Sequence, residues 1–476
     1  MTAQSQRPRA AAGVDLLPRV FRGRTPVAAI HGAHDPRRLT AGAHPQWPYR
    51  IAGRLMARRD HGRSFFMDVL DRTGTLQVHG RLDTLGEAQL RHVSELGIGD
   101  LVGVDGCVYV TRRGELALSV EDCVVLAKAL RPPPRRARPA QAREARFGER
   151  EAELIASDRA RAVLIARARI LAAIREWMDE HGFVELETPV LQRVFGGASA
   201  RPFVTHHNAL DRRLSLRIST ELYLKRGIVG GLEDVYELGK CFRNEGISAR
   251  HSPEFTMLEW FQTCADYTDV CALVETMVSD VARRAIGTTT IERGGTTIDL
   301  APPWRRVTVR EGILEVTGVD VAERDPTALA EIVRPWAKPG DPWPHLVELA
   351  HSKLVEPTLA QPTFVLDFPV ALFPLARRHP QDGDLAEAFD AVVGGIEIVS
   401  GSTDLNDAAE QRARFAEQAQ RAGDDHGEQP HPLDEGFLRA LEYGMVPLGG
   451  AGMGVDRLVM LLTGCESLRD VIAFPP

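Results

Sequence analysis

The chain has 476 residues, which is too many for one hydrophobic core, so two or three domains are expected. A hydrophobic content of 44% and a charged content of 26% are typical of an ordinary globular protein. The net charge of -7 argues against a protein that wraps nucleic acid over its whole surface, but it allows a local basic groove. The six cysteines form no CxxC pair, and no apolar run reaches the length of a membrane span or signal peptide. We therefore predict a cytoplasmic protein that does not enter a membrane.

Four segments differ in composition along the chain. Residues 1–45 are rich in Arg, Ala, Gly and Pro without periodicity, and are predicted to be a mobile tail with one short helix at most. Residues 46–130 contain five short alternating runs, separated by turn-forming residues, with one helix-like insertion. This pattern predicts a five-stranded barrel of the oligonucleotide-binding (OB) type, and a small β-sandwich without a binding function is the alternative.

The remaining chain begins with a connector. Residues 131–157 are proline-rich and basic, so they are interpreted either as a hinge that also contacts a polyanion or as a solvated linker. From 158 to 476, helices alternate with strands in the manner of an antiparallel sheet with flanking helices. The predicted fold class is α+β, with the barrel followed by this larger domain.

The segment 242–259, FRNEGISARHSPEFTMLE, concentrates arginines, carboxylates and a histidine around turn-forming residues. Arg243 and Arg250 each offer a planar fork of donors that suits a phosphate or a carboxylate. Gly246 and Ser252-Pro253 predict a turn between the strands EDVYELGKCF and EFTMLEWFQ. A solvated hairpin with salt bridges is the plain alternative for this segment taken alone.

Two further segments flank this hairpin in the sequence. A long helical pattern from Asp158 is followed by Gly182 and by a strand pattern that ends in Thr188-Pro189. Near the C-terminus, GGAGMGVDRLVMLLTG (449–464) places a glycine-rich stretch before a helix with Arg457 just inside its start, which suits a phosphate. A dinucleotide-binding loop is the rival interpretation, but the GxGxxG spacing is absent.

Taken in chain order, the helix and strand from Asp158 to Pro189, the hairpin 242–259 and the glycine-rich segment 449–464 resemble motifs 1, 2 and 3 of class II aminoacyl-tRNA synthetases. The segments GGASARPF (196–203) and ISTELYLKR (218–226) are similar to those of the lysyl branch. The resemblance implies ATP-dependent activation of an amino acid, transfer to a lysine-type tRNA, and a homodimer formed through the motif 1 helix and strand. It covers the chain from about Tyr49 to Pro476 and is weakest between about 287 and 361.

The resemblance also implies roles for individual residues. ATP-binding positions are Arg243, Glu245, Arg250, His251, Phe255 and Arg457, of which Arg243 and Arg457 act in catalysis. The positions that bind Mg²⁺ are Asp390 and Glu397, although the family usually has Glu in place of Asp390. The α-amino group of the amino acid would be held by Gly197 and Glu221. The anticodon bases would be read by Phe65, Gln77 and Glu115, and Phe65 could equally belong to the barrel core.

The part of the pocket that receives the amino-acid side chain departs from the lysyl branch. Glu259 keeps one carboxylate, whereas Phe261 replaces a tyrosine and Asp404 replaces a glutamate. Ser400 and Ser402 replace an asparagine and a phenylalanine. The predicted function is ligation of lysine to tRNA. The alternative is a paralogue that activates a different basic amino acid or transfers it to an acceptor other than tRNA, and a non-catalytic RNA-binding relative is a third hypothesis.

Overall fold

The computed structural model describes residues 17–134, 149–424 and 433–476. The chain divides into two compact units, Met1–Arg161 and Ala162–Pro476. The first 16 residues of the predicted tail and residues 135–148 of the predicted basic connector lie outside the described residues.

The first unit contains a closed barrel of five strands in the order β1-β2-β3-β5-β4. Its elements are α1 (Val27–Ala33), β1 (Gly42–Asp60), β2 (Ser64–Asp71), β3 (Gly74–Arg81), α2 (Leu82–Ser94), β4 (Leu101–Val110), β5 (Leu116–Ala127) and α3 (Arg150–Ala156). Alternate residues such as Phe65, Met67 and Val69 on β2 point inward and are at most 1% exposed. The predicted OB-type barrel, with a helix between its third and fourth strands, is confirmed.

The expectation of a mobile tail up to residue 45 is wrong for the described part of that segment. Helix α1 packs on the barrel, because Val27 and Ile30 belong to the barrel core and are 1% and 0% exposed. The backbone N–H of Val27 also donates to the Asp71 carboxylate at 3.0 Å. These two apolar residues are one helical turn apart, and two residues are too few to predict a packed helix in a sequence rich in Arg and Ala.

The second unit is built on one large sheet. Its helices are α4 (Asp158–Glu180), α5 (Glu221–Val229), α6 (Tyr267–Ile286), α7 (Val309–Thr317), α8 (Pro326–Ile332), α9 (Trp343–Ala350), α10 (Ala408–Asp424), α11 (Glu435–Glu442), α12 (Val455–Leu462) and α13 (Leu468–Val471). Its strands are β6 (Val184–Glu185), β7 (Leu191–Gln192), β8 (Val204–His207), β9 (Arg212–Leu216), β10 (Val235–Phe242), β11 (Glu254–Thr263), β12 (Thr290–Arg293), β13 (Thr296–Asp299), β14 (Arg305–Thr308), β15 (Thr363–Leu366), β16 (Ala388–Val393), β17 (Ile396–Thr403) and β18 (Leu448–Gly454).

The large sheet has eight strands in the order β14-β15-β16-β17-β18-β11-β10-β6. Neighbouring strands are antiparallel except for one parallel pair at each edge, β14 with β15 and β10 with β6. The predicted antiparallel sheet with flanking helices is therefore confirmed. The predicted motif 2 strands are also present, as β10 and β11.

The two faces of the central strands have different partners. One face carries Leu258, Trp260 and Met453, which are buried in a core shared with α4, α6 and α12. The alternate residues Glu259 and Phe261 point to the opposite face. That second face forms the floor of a large cavity. None of the described helices combines the length and the apolar character that crossing a membrane requires.

Candidate active site

The cavity of about 730 Å³ lies over the central strands of the second unit. Every residue of this unit that the sequence predicted to bind ATP, the amino acid or a metal lines it. These residues are Gly197, Glu221, Arg243, Glu245, Arg250, His251, Phe255, Glu259, Phe261, Asp390, Glu397, Ser400, Asp404 and Arg457. They come from segments up to 260 residues apart, and the sheet brings them together because β10, β11, β17 and β18 are neighbours.

Arg243 lies directly after β10, where the hairpin leaves the sheet. Its backbone N–H donates to the carbonyl of Pro253 at 2.9 Å, which closes the base of the loop. The Arg243 guanidinium lies 5.1 Å from the ring centroid of Phe255, a cation–π contact that fixes its plane. Glu245 follows in the exposed loop at the rim of the cavity. The hairpin thus presents a fixed cation beside an aromatic ring.

A second cation, the Arg457 guanidinium, lies where the hairpin loop meets the start of α12. The Nη2 of Arg457 lies 3.5 Å from Nε2 of His251, and His251 Nδ1 lies 2.8 Å from the Ser248 hydroxyl. Burial, reinforced by Arg457, lowers the pKa of His251 below its usual value. His251 is therefore neutral at physiological pH and can accept a hydrogen bond from Arg457.

A cluster of carboxylates lies beside Arg457. Arg457 Nη1 donates to the backbone carbonyl of Glu397 at 2.8 Å and lies 3.3 Å from the Glu397 carboxylate. Burial raises the pKa of Glu397, with further contributions from the negative charges of Asp390 and Glu356. Asp390 is 3.5 Å from the buried ring of His351, which belongs to a π-helical turn. This corner carries an excess of negative charge that an added cation would offset.

Glu356 was not identified from the sequence. Its carboxylate accepts the backbone N–H of Glu397 at 3.3 Å and lies 3.4 Å from Arg250, so it links the hairpin loop to the carboxylate cluster. It precedes a proline in a region of weak resemblance, and it shows no motif of its own. Within the ranges that the structure describes, no three His, Cys, Asp or Glu side chains converge as a complete metal-ligand set.

The floor of the cavity is made by side chains in register on three adjacent strands. Glu259 on β11, Gly452 on β18 and Ser400 on β17 form one row, and Phe261, Gly450 and Ser402 form the next. A Cβ atom at Gly450 would lie 2.1 Å from the Phe261 ring, so only glycine leaves room for that ring. The glycines of the predicted motif 3 therefore shape the end of the cavity that Glu259 and Phe261 line.

Glu259 is almost completely buried, and the two oxygens of its carboxylate differ. Its Oε2 accepts hydrogen bonds from the Ser219 hydroxyl, the Thr220 hydroxyl and the Thr220 backbone N–H, at 2.9 to 3.0 Å. Its Oε1 finds no hydrogen-bond partner in the described part of the chain. Burial, followed by the negative charge of Glu221, raises the pKa of Glu259 to about 7. A buried acceptor without a donor is costly, so Oε1 is a position where a ligand donor would stabilise the site.

Asp404 and Glu221 line the same end of the cavity, and both contact Lys225, a residue that the sequence did not single out. The Lys225 ammonium is 0% exposed and lies 2.5 Å from Glu221 and 3.1 Å from Asp404. Burial lowers the pKa of Lys225, but the two carboxylates more than offset it, and Lys225 stays charged. Gly197 lies beside Glu221 with a φ of +84°, and a Cβ atom there would lie 2.8 Å from the Ser219 hydroxyl.

On the barrel, the prediction that Phe65 binds an anticodon base is wrong. Phe65 is 1% exposed in the barrel core, where its ring fills the space above Gly80, so it does not present a face to a base. Phe66 instead points outward and stacks on His79 with ring centroids 4.3 Å apart. Gln77 is opposite Asp68 and shares the outward side with Phe66, and Glu115 is exposed at the turn before β5. The alternation of side chains along β2 would have selected Phe66, because Phe65, Met67 and Val69 form the apolar set.

Comparisons with known proteins agree with this arrangement. Residues 142–476 match the family of class II tRNA synthetases (D, K and N), and residues 49–126 match the OB-fold nucleic acid binding domain. A lysine--tRNA ligase of Moorella thermoacetica is 48% identical over 433 residues, covering 89% of this chain and 88% of that protein. Lysine--tRNA ligases of Pelotomaculum thermopropionicum and Dehalococcoides mccartyi are 46% and 45% identical, each over 90% of this chain and 86% and 87% of their own lengths.

A family match over more than half of the chain defines a class II aminoacyl-tRNA synthetase with an OB-fold domain. These three relatives are named for the same amino acid, lysine. The chain belongs to the lysine--tRNA ligase family of class II synthetases.

Proposed function

We propose that this protein activates lysine with ATP and transfers it to tRNA. The observation that carries the amino-acid assignment is the charge at the closed end of the cavity. Among the described residues there, Lys225 forms ion pairs with the carboxylates of Glu221 and Asp404, whereas the carboxylate of Glu259 accepts only from Ser219 and Thr220. Three ionised carboxylates and one ammonium leave an excess of two negative charges, and lysine supplies two ammonium groups. A buried carboxylate is stable in its charged form only when a cation and hydrogen-bond donors accompany it.

Arg243 supports the activation step. In that step an oxygen of the amino-acid carboxylate attacks the α-phosphorus of ATP, and pyrophosphate leaves. Negative charge gathers on the α-phosphate oxygens in the transition state, and a cation held in place by Phe255 stabilises that charge without having to reorganise. Phe255 is also suited to stack on adenine, and Glu245 at the rim to accept its amino group. Arg250 and Arg457 supply donors for the outer phosphates, and His251, which lines the same part of the cavity, accepts a hydrogen bond from Arg457 and holds it there.

We infer that Asp390 and Glu397 hold Mg²⁺ when ATP is bound. Two carboxylates fit this ion, because Mg²⁺ is commonly bound by one or two carboxylates together with substrate phosphates. Burial is the main reason that the pKa of Glu397 is raised, but Asp390 and Glu356 lie close enough to add to the rise, and this grouping of carboxylates supports the inference. The bound ion would neutralise the phosphate oxygens and thereby favour attack on the α-phosphorus. We also infer a cytoplasmic protein, which agrees with six cysteines that are all described and all unpaired.

We further infer a homodimer formed through the segment that follows α4. Large apolar side chains are exposed in this short stretch: Val184, Val190, Leu191, Val204 and Leu210 are 41% to 60% exposed. Leu191 and Val204 lie on the two outer strands of one three-stranded sheet. Grouped exposed apolar residues favour an interface between copies of the chain.

The activation step depends on Arg243. We expect Arg243→Ala to lower lysine-dependent pyrophosphate exchange at least tenfold, which corresponds to a loss of about 1.4 kcal/mol of transition-state stabilisation. Arg283→Ala, which removes an exposed arginine of α6, is the matched control and should leave exchange unchanged. Exchange within a factor of two of the parent for both variants would contradict the role of Arg243.

The raised pKa of Glu259 predicts a pH dependence of lysine binding. Below about pH 7 the empty site takes up a proton at Glu259 and loses one of the charges that attract an ammonium. The KM for lysine in pyrophosphate exchange should therefore rise about tenfold between pH 8 and pH 6. Glu259→Gln should show a high KM for lysine and a smaller pH step, because burial also raises the pKa of Asp404 to about 7. A parent KM that is constant over this range would disprove the assignment.

The outward position of Phe66 predicts separate effects of two adjacent phenylalanines. Phe66→Ala should lower kcat/KM for tRNA charging by a factor equivalent to about 1 to 3 kcal/mol, the range for a base stacked on an aromatic ring. Pyrophosphate exchange should not change. Phe65→Ala should instead lower the thermal unfolding temperature, because it removes about 3 to 5 kcal/mol of core packing. The reverse pattern would restore Phe65 as the base-stacking residue.

The inferred interface predicts that Leu191→Asp combined with Leu210→Asp converts a dimer to a monomer. Sedimentation velocity at micromolar concentration gives the mass directly. Leu314→Asp is the control, since Leu314 is a similarly exposed leucine on α7 outside the segment. A parent that sediments as a monomer while it remains active would refute the dimer.

A further inference from the structure

Lys225 is a charged side chain with no access to water. It lies on α5, four residues after Glu221, and is 0% exposed. Removing an ammonium from water is strongly unfavourable unless the charge is paired and hydrogen-bonded. Its Nζ is 2.5 Å from Oε1 of Glu221 and 3.1 Å from Oδ1 of Asp404, and it lies 5.0 Å from the ring centroid of Phe261. Two anions and the face of an aromatic ring therefore surround this one cation.

Lys225 stands behind the wall of the cavity. Its three partners Glu221, Asp404 and Phe261 line the cavity, whereas Lys225 is not among the described residues that line it. A substrate in the cavity would therefore contact the partners of Lys225 and not Lys225 itself. Any influence of this ammonium on the substrate passes through the two carboxylates.

The contacts to Asp404 divide its two oxygens. Lys225 and the Ser402 hydroxyl, at 3.1 Å and 3.3 Å, both approach Oδ1. Oδ2 is buried, and no donor from the described residues reaches it. The side chain of Asp404 is 2% exposed, so water offers little compensation. The resident donors thus hold one oxygen and leave the other for a ligand donor.

Glu221 is held in a similar way. Its Oε1 is bound to Lys225, while the carboxylate as a whole keeps 18% exposure at the cavity wall. Without the ammonium, Glu221 and Asp404 would be like charges with no resident cation between them. Such a pair would separate or take up a proton, and either change would remove the acceptors that face the cavity.

We propose that Lys225 is a positioning residue that presets Glu221 and Asp404 for the two ammonium groups of the substrate amino acid. This inference rests on the proposed function, because it takes lysine as the ligand of the two carboxylates. It assigns to Lys225 an effect on amino-acid affinity that is separate from ATP binding. Lys225 makes no contact with substrate, so its effect depends on the partners that it holds.

A double-mutant cycle tests this proposal. The full-length parent, Lys225→Met, Asp404→Asn and the double variant are compared by pyrophosphate exchange with lysine. We expect each single change to raise the KM for lysine at least tenfold and to leave the KM for ATP within twofold. The double variant should raise the KM for lysine by less than the product of the single effects, because both changes break the same ion pair. Lys338→Met, which removes an exposed lysine, should change neither constant.

Two outcomes would overturn the proposal. One is a folded Lys225→Met variant whose KM for lysine stays within twofold of the parent. The other is a double variant whose effect equals the product of the single effects, since Lys225 would then act independently of Asp404. A simply structural role would instead lower kcat and the unfolding temperature and would affect the KM for ATP and for lysine alike.

The double variant also tests the proposal if Lys225→Met does not fold. Replacing both members of a buried ion pair removes the uncompensated charge that one replacement leaves behind. In that case Asp404→Asn is the reference, and the double variant should raise the KM for lysine at least a further threefold through the loss of Glu221 orientation. Equal values would overturn the proposal. Exchange by the parent reports separately on the proposed function, and a parent that uses a different cationic amino acid is carried through the same cycle with that amino acid.

Discussion

The amino-acid end of the cavity depends on one buried cation shared by carboxylates. Glu259 and Asp404 are 4% and 2% exposed, and each has an oxygen for which the described residues supply no donor. Lys225 offsets part of the charge from behind the cavity wall. In the proposed function, the two ammonium groups of lysine would offset the remaining charge and supply donors to these oxygens. Selectivity of this kind comes from the penalty of unpaired buried acceptors, which is larger than the gain from a few extra apolar contacts.

The sheet makes this arrangement possible. Strands β11, β18 and β17 bring Glu259, Gly452 and Ser400 into one row, although they are distant in the sequence. On the other face, Trp260 and Met453 are buried against the helices, which fixes the strands that carry the site. The ATP end uses a different device, because Arg243 and Arg457 come from a hairpin end and a helix start. In the proposed function, rigid strands position the groups that recognise the amino acid, while a hairpin end and a helix start position the cations that bind phosphate.

The sequence predicted the architecture well, because each part has a local signature. Five alternating runs with turn-forming residues identify the barrel, and the hairpin 242–259 has its strands where the pattern placed them. The residues that escaped prediction act through tertiary contacts. In the sequence, Lys225 resembles a lysine on the surface of a helix. Its burial follows only from the packing of α5 against β11 and the end of β17. Glu356 has no motif, and it matters only because Arg250 and Glu397 reach it. The sequence predicts Phe65 in place of Phe66, because a shift of one residue along a strand moves a side chain from one face of the strand to the other.

The central claim is that a buried anionic cluster selects an amino acid with two positive charges. Pyrophosphate exchange with lysine and with norleucine tests it most directly, because norleucine has a similar unbranched shape and lacks the side-chain charge. The account predicts that kcat/KM for norleucine is at least about 100-fold below that for lysine, as expected when buried polar groups lose their partner. Comparable values for the two amino acids would contradict it, since the carboxylates at the end of the cavity would then not take part in selection.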